Sequence, residues 1–287
     1  MTSTSTLPAM VGSFVCLACA PAVTPGQELG ALRAYDFERP AATFEMPGRL
    51  DEISGLAMTP DGRLFAHDDE RATVHEIDRA SGEVGKRFSL GDPTVEGDFE
   101  GIAVVGERFF LVTSAGLLYE FREVGDRETS PHRVTDLGLG SACEVEGLDH
   151  DARDDVLLVA CKTTTPERGS IVVQRVPLDP QRARPAPLVI RRSDLPAVGI
   201  PADFRPSSVA VSPAGTFVLA SAAPEALLEV DRSGRVLAGI DLPGGRHPQP
   251  EGLAFSPDGT LYVSDERNGG DARITAYARA RDGRGVP

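Results

Sequence analysis

The sequence predicts an all-β fold built from internal repeats, and three observations carry this prediction. A short phrase, Glu-Gly or a Ser-containing variant of it followed by apolar residues, recurs along the chain. Two of its copies run into a Pro-Asp-Gly turn and then an apolar segment, which is typical of a β-hairpin. No stretch keeps a helical apolar period, so helix should be scarce. The copies of the phrase begin at Ser54, Glu100, Glu146, Ser207 and Glu251.

The spacing of the phrase identifies the repeating unit. Its second residues are Gly55, Gly101, Gly147, Ser208 and Gly252, which follow one another at intervals of 46, 46, 61 and 44 positions. A period of about 45 residues in a β-rich chain is the size of a four-stranded propeller blade. The sequence therefore predicts a single β-propeller of four-stranded blades, with five blades favoured and six as the alternative.

The first unit shows the order of strands within a blade. Residues 56–58 form the first strand and end in the turn 59–62, residues 64–67 follow as the second strand, and residues 72–78 alternate as the third. A Ser-Gly turn then leads into a fourth strand at residues 84–90. The later units repeat this order, with strands predicted at 109–113, 117–121 and 134–139, at 157–160, 170–176 and 187–190, at 226–231 and 236–242, and at 261–266 and 274–278.

The two ends of the repeat array predict how the ring closes. The fifth unit stops after residues 274–278, before its fourth strand, whereas residues 42–47 stand where every other repeat has the outer strand of its predecessor. We expect this N-terminal strand to complete the last blade, because closure removes exposed sheet edges. Residues 32–37 are left over, as an extra edge strand or the relic of a sixth blade.

Composition and charge limit the partners. The chain has 287 residues, 41% of them hydrophobic, and a net charge of −14 with a pI near 4.8. This composition is globular, and its acidity argues against nucleic acid or an anionic membrane surface as a partner. It permits a cation or a cationic ligand. We expect a monomer that binds a small molecule or another protein.

The N-terminus predicts export. Residues 1–26 carry no charge, and the apolar-rich run at 7–23 is too short for a membrane span but resembles the hydrophobic part of a signal peptide. The usual basic region is missing, so an uncleaved, disordered tail is the alternative. We therefore expect a leader at 1–26, a propeller domain at 27–287, and a periplasmic or secreted location. A faint lipoprotein box around Cys19 leaves a lipid anchor open.

The predicted fold gathers charged residues at one mouth of the central channel. The phrase starts the innermost strand of each blade, and the second strand runs back to end beside it. Aligning the hairpins at the Pro-Asp-Gly turns places Glu251 opposite Asp265 and Ser54 opposite Asp68. The candidate ligand or cation residues at this mouth are Glu100, Glu146, Glu251, Asp68, Asp69, Glu70, Lys162, Asp265 and Glu266.

Six phrases of the chain occur together in the order of a known family. They are Ala66-His67-Asp68-Asp69-Glu70, Gly97-Asp98-Phe99-Glu100-Gly101-Ile102-Ala103, Phe110-Leu111-Val112-Thr113-Ser114, Leu157-Leu158-Val159-Ala160-Cys161-Lys162, Arg205-Pro206-Ser207-Ser208-Val209-Ala210 and Gln249-Pro250-Glu251-Gly252-Leu253. Together they resemble the SdiA-regulated domain family. The resemblance spans residues 52–277 and implies a bacterial β-propeller that is exported or membrane-anchored, but little about its biochemistry. A more distant similarity to phytase-like and esterase-like propellers includes Ile53-Ser54-Gly55-Leu56.

The three glutamates of the phrase, Glu100, Glu146 and Glu251, allow two interpretations. If they converge, they repel one another unless a cation neutralises them, their pKa values rise or water separates them. Oxygen ligands of this kind suit Ca²⁺. Repetition in register equally suits a structural clamp in which each carboxylate accepts backbone N–H bonds from the next blade. Lys162 is then either the counter-ion of the ring or an anchor for an anionic ligand.

The remaining expectations concern redox state and function class. Cys143 and Cys161 fall on neighbouring strands of the third unit, so a disulfide between them is plausible. The leading functional hypothesis is an exported binding or scaffold module with an acidic mouth that holds a cation, with Ca²⁺ as the candidate cofactor. The alternative is a metal-assisted phosphoester or carboxylester hydrolase of the phytase-like type. No catalytic residue can be assigned, and the fold does not decide between binding and catalysis.

Overall fold

A computed structural model describes Met1, residues 30–165 and residues 169–280 of the chain. Within these residues there are three short 3₁₀ helices, Ala31–Ala34, Gly48–Leu50 and Arg192–Val198, and the rest of the regular structure is β-sheet. In chain order the strands are β1 (Ala42–Glu45), β2 (Ile53–Met58), β3 (Leu64–Asp68), β4 (Thr73–Ile77), β5 (Val84–Leu90), β6 (Phe99–Val105), β7 (Arg108–Thr113), β8 (Leu117–Arg122), β9 (Thr129–Ser130), β10 (His132–Asp136), β11 (Cys143–Asp151), β12 (Val156–Thr164), β13 (Ser170–Pro177), β14 (Leu188–Arg191), β15 (Ser208–Val211), β16 (Phe217–Ser221), β17 (Ala226–Val230), β18 (Val236–Asp241), β19 (Pro250–Phe255), β20 (Leu261–Asp265) and β21 (Arg273–Tyr277).

The strands form five blades, which confirms the favoured blade number. Blade 1 contains β2 to β5, blade 2 contains β6, β7, β8 and β10, blade 3 contains β11 to β14, and blade 4 contains β15 to β18. The short β9 adds a parallel edge to β5 of blade 1, which the sequence did not predict. Consecutive antiparallel strands within each blade account for the repeated hairpin pattern of the sequence.

Blade 5 joins the two ends of the array, as predicted. It consists of β19, β20 and β21 together with β1, and Ala42 pairs with Ala276 in antiparallel register. The ring is therefore closed by hydrogen bonds between the first and last strands of the chain, and blade 5 gains the outer strand that its own sequence lacks.

The apolar core lies between neighbouring blades. The layer between blades 1 and 2 is aromatic: Phe65, Phe88 and Phe121 surround Phe109, and the Phe65 and Phe109 rings meet edge to face at 5.0 Å between centroids. The blade 3–4 layer is mainly aliphatic. Each sheet thus buries apolar side chains on both faces, which explains why many strands are apolar along most of their length.

The leftover segment at residues 32–37 forms a helical turn and one isolated antiparallel bridge, from Tyr35 to Arg279, rather than an edge strand or part of a sixth blade. It enters as the 3₁₀ helix Ala31–Ala34, whose Leu32 packs in the apolar layer between blades 4 and 5. The buried Glu229 carboxylate accepts the backbone N–H groups of Ala31 at 2.7 Å and Leu32 at 2.9 Å, and the Thr216 hydroxyl donates to it at 2.6 Å. A carboxylate on blade 4 therefore fixes a helical turn where the sequence suggested strand.

The predicted leader at residues 1–26 lies outside the described residues, apart from Met1. Within the described part of the chain, no helix has the length and apolar character needed to cross a bilayer.

Candidate functional site

The phrase residues occupy β-bulges at the start of the inner strands. In blade 2, Phe99 pairs with Thr113 and Gly101 with Val112, so Glu100 is the extra residue between them. A bulge redirects the side chain of the extra residue. The same two-against-one arrangement recurs in blades 1, 3 and 5, where the extra residues are Ser54, Glu146 and Glu251.

The bulges correct the predicted register by one position. Asp265 lies opposite Pro250 rather than Glu251, and Asp68 lies opposite Ile53 rather than Ser54. A sequence alignment anchored at the hairpin turn assumes one residue against one residue, so it misses the extra residue in the inner strand.

The glycine after each bulge permits the inner strands to approach one another around the channel. A Cβ on Gly101 would lie 2.6 Å from the backbone nitrogen of Leu148 in the next blade, and one on Gly147 would lie 2.9 Å from the Cα of Ser208. Such distances leave no room for a side chain. The glutamates are therefore held on a rigid ring of closely packed strands rather than on loops.

The three glutamates have different side-chain partners. The Ser54 hydroxyl donates to Glu100 at 3.2 Å, and the Lys162 ammonium donates to Glu146 at 2.9 Å. Among the described residues no backbone N–H donates to any of the three carboxylates, and Glu251 has no hydrogen-bond or salt-bridge partner. These contacts do not match the structural clamp, in which each carboxylate accepts amides from the next blade.

The pKa values indicate that the glutamates lie close together. Burial, with the neighbouring Glu146 and Asp98 carboxylates, raises the pKa of Glu100 to about 8. Burial, with repulsion from Glu146 and Glu266, raises the pKa of Glu251 to about 9. Burial also raises the pKa of Glu146, although its hydrogen bond from Lys162 opposes this effect. At neutral pH, Glu100 and Glu251 therefore keep their protons unless a cation replaces them.

Lys162 supplies positive charge to this group. Burial disfavours its ammonium, but the hydrogen bond to Glu146 and the attraction of Glu146 and Glu251 raise the pKa of Lys162 overall. One lysine thus neutralises one of the three glutamates directly. Lys162 also attracts Glu100 and Glu251, but in the described part of the chain neither of these two carboxylates forms an ion pair.

A second acidic group continues the mouth from Glu251. Burial and the nearby Glu52 raise the pKa of Glu266, while burial, Glu52 and then Glu266 raise the pKa of Asp69 to about 7. One oxygen of Asp69 is buried without a hydrogen-bond partner. Sequence reasoning missed Glu52, because it stands two residues before the phrase, a position that is also acidic in blades 2 and 3, as Asp98 and Glu144.

Asp265, predicted at the mouth, is fully buried. Its carboxylate is hydrogen-bonded to Nδ1 of His247 at 2.7 Å, and Nε2 of the same ring meets the Tyr277 hydroxyl at 2.6 Å. The backbone N–H of Gln249 also donates to Asp265 at 3.3 Å. This fully partnered network holds the last blade together and leaves Asp265 no free oxygen for a ligand.

Asp68 and Glu70 also separate from the glutamates. They line a cavity on blade 1 beside the 3₁₀ helix Gly48–Leu50, and Asp68 accepts the backbone N–H of Arg71 at 3.0 Å. Neither residue contributes to the raised pKa values of the phrase glutamates. The structure therefore groups Glu100, Glu146, Glu251 and Lys162, with Glu266, Asp69 and Glu52 adjoining; this set is called the acidic mouth below.

The expected disulfide is present. Cys143 and Cys161 are bonded, with 5.2 Å between their Cα atoms, and link β11 to β12 directly beside the Glu146 bulge. The cross-link fixes the strand pair that carries both Glu146 and Lys162.

The acidic mouth has the donor type of a Ca²⁺ site but not its spacing. Its carboxylate oxygens are the ligand type that Ca²⁺ prefers. Within residues 30–165 and 169–280, however, no three carboxylate, imidazole or thiol groups are arranged closely enough to hold a metal ion. The chemistry of the donors fits calcium, whereas their spacing does not provide a formed metal cage.

Comparisons with known proteins agree on family and fold. The SdiA-regulated family matches residues 31–269. Similar solved structures include glutaminyl cyclase from Myxococcus xanthus, with a TM-score of 0.58, 15% identity, and coverage of 83% of this chain and 94% of that chain. Another is the PQQ-bound aldose sugar dehydrogenase from Streptomyces coelicolor, with a TM-score of 0.51, 13% identity, and coverage of 84% and 99%.

A luciferin-regenerating enzyme has a similar structure, with a TM-score of 0.52, 10% identity, and coverage of 84% of this chain and 95% of that chain. At these identities the likenesses show the fold alone. No match was found among curated proteins. Since propellers of this shape include enzymes, the fold leaves both binding and catalysis open.

Proposed function

The chain belongs to the SdiA-regulated family, and we propose that it is a binding module whose acidic mouth holds a cationic ligand. The observation that carries this proposal is the state of Glu100 and Glu251. Both are bulge residues on closely packed inner strands, and both have strongly raised pKa values. Lys162 attracts both of them but is hydrogen-bonded to Glu146, and neither forms an ion pair among the described residues. A cation placed between them would offset their repulsion.

We propose an organic cation, an ammonium or guanidinium group, rather than Ca²⁺. A calcium ion needs six to eight oxygens at about 2.3–2.6 Å. An ammonium group needs only a few acceptors at hydrogen-bond distance, so carboxylates that are spread around a mouth suffice. The absence of a close metal-binding group from the described residues supports the larger cation. Ca²⁺ binding is the competing outcome of the experiment.

Binding should release protons. With pKa values of about 8 and 9, Glu100 and Glu251 are mostly protonated at neutral pH, and a cation favours their ionised forms. The affinity for a cation should therefore rise as the pH increases from about 6 to about 9. This pH dependence distinguishes the mouth from a surface patch of ordinary carboxylates, which are fully ionised throughout that range.

The test is calorimetric titration of the full chain with spermidine, and separately with calcium chloride, at constant ionic strength. Glu251→Gln removes the charge and keeps the shape, and Glu45→Gln changes an exposed carboxylate on β1 as the matched control. Losing one charge-assisted hydrogen bond should weaken spermidine binding by about tenfold or more. Binding that is absent, or equal in Glu251→Gln and wild type, would contradict the proposal. Tighter binding of calcium than of spermidine would replace the organic cation with the metal.

The hydrolase alternative gains no support from a specific observation. Asp265 is committed to His247, and Asp68 lies with Glu70 away from the phrase glutamates. Turnover of phosphoester or carboxylester substrates that Glu251→Gln and Lys162→Ala both abolish would revive it.

We also propose that the protein functions outside the cytoplasm. The disulfide between Cys143 and Cys161 supports this, because such bonds persist in oxidising compartments. Fractionation of expressing cells, with alkylation of any free thiols, tests the location. Recovery in the cytoplasm with both thiols free would refute it.

A further inference from the structure

A polar cavity at the joint between the ring closure and blade 1 is lined by arginines as well as carboxylates. Its volume is about 400 Å³, which is within the range of small-molecule sites. Three arginines line it: Arg49 from the helix Gly48–Leu50, Arg71 from the loop after β3, and Arg87 from β5. In the described part of the chain, none of their guanidinium groups has an ion pair or side-chain hydrogen bond.

The cavity is also lined by a buried histidine without hydrogen bonds. His75 on β4 is only 1% exposed, and neither Nδ1 nor Nε2 has a partner among the described residues. Burial, and then the proximity of Arg49 and Arg87, lowers the pKa of His75 to about 4. The ring is therefore neutral at physiological pH, with one N–H donor and one acceptor nitrogen, and a buried polar group of this kind normally has a partner.

Four carboxylates share the cavity; Asp68 attracts Arg71, but none of the four forms an ion pair with Arg49, Arg71 or Arg87. Asp51 is paired with Arg267 at 2.6 Å, and Glu52 belongs with Asp69 in the acidic mouth. Asp68 is bonded to a backbone N–H, and Glu70 is exposed. The guanidinium groups thus keep free N–H donors for a ligand.

We infer that this cavity binds a small molecule carrying a carboxylate or phosphate group, held by Arg49, Arg71 and Arg87 and by the N–H of His75. Guanidinium groups match the oxygens of carboxylates and phosphates in paired hydrogen bonds. An anion would give the guanidinium groups acceptors for their free N–H donors and give His75 the acceptor that it lacks. The site uses no residue of the Glu100, Glu146, Glu251 and Lys162 group, so it stands independently of the cation-binding proposal.

The test is calorimetric titration of the full chain with inorganic phosphate and, in a parallel arm, with succinate. Arg87→Gln removes an exposed guanidinium, and His75→Leu replaces the unpartnered ring with an apolar side chain of similar volume. Arg33→Gln is the matched control, because Arg33 is exposed and has no side-chain partner among the described residues. Thermal melts of each variant verify that the fold is retained.

We expect saturable binding of at least one probe, weakened about tenfold by Arg87→Gln and by His75→Leu and unchanged by Arg33→Gln. The tighter of the two probes identifies the anion class. If His75→Leu does not fold, Arg87→Gln decides the question alone. No saturable binding of either probe at millimolar concentration would overturn the inference, and so would binding that Arg87→Gln leaves unchanged.

Discussion

Replacing Glu251 with glutamine should stabilise the protein, although Glu251 is central to the proposed cation site. In the folded protein burial and its acidic neighbours raise the pKa of this carboxyl from 4.5 to about 9. The unfolded chain has no such environment, so there the group ionises near its ordinary pKa. Between these two values the folded state holds a proton that the unfolded state releases, and stability falls as the pH rises.

The size of the effect follows from the pKa difference. Each pH unit between the two pKa values removes about 1.4 kcal/mol from the free energy of unfolding. At pH 7 the full cost is about 3 kcal/mol, and partial exposure of the side chain together with coupling to Lys162 reduces it to about 2 kcal/mol. Glutamine keeps the shape without the ionisation, so the variant should regain this energy. In a chain of this length, about 2 kcal/mol raises Tm by about 4 °C.

The assay is thermal unfolding from pH 5 to pH 9 without added cation, with Glu45→Gln as the control. The difference in Tm between Glu251→Gln and wild type should be small near pH 5, should grow with pH, and should level off near pH 9. A difference that is absent, negative or independent of pH would show that Glu251 is not held in a buried, repulsive environment.

Three further predictions concern the scaffold. Gly101→Ala should lower the free energy of unfolding, measured by denaturant titration, by about 2 kcal/mol, because the added Cβ would meet the neighbouring inner strand. Gly85→Ala on an outer strand is the control: its added Cβ has its nearest contact at 3.8 Å, so this variant should be nearly neutral. Replacing Cys143 and Cys161 by alanine should cost about 3 kcal/mol, as expected for a loop closed over a separation of 18 residues, and reduced wild type should unfold like the variant. Glu229→Ala should release the helical turn Ala31–Ala34, so limited trypsin digestion should cleave ahead of β1 faster than in wild type. Equal cleavage rates would show that the Glu229 carboxylate does not hold this turn.

The blade repeat was predictable from sequence because short local residue patterns specify it. Pro-Asp-Gly turns, alternating strands and a fixed period specify hairpins of known length, and the missing last strand indicates closure by the chain's own N-terminus. Gly62 and Gly259 illustrate this, since both take φ of +87° in their turns.

The details of the site depended on features that no local pattern reveals. A bulge changes the pairing by one residue without any composition signal, so Glu251 moved away from its predicted position opposite Asp265. The burial of Asp265 depends on His247 and Tyr277, which lie outside the repeated phrase. The unpartnered ring of His75 likewise becomes visible only once the ring-closing linker is placed against blade 1.

The closure of blade 5 has a consequence for the order of events during synthesis. The strand β1 is made first, but its only sheet partner, β21, is made last. Until β21 has been made, the growing chain therefore contains an open series of blades, and β1 has no sheet partner. Such long-range pairing forms slowly, and it leaves the nascent chain unfinished until its final strand emerges. The ring therefore cannot close on its own N-terminal strand until β21 has been made.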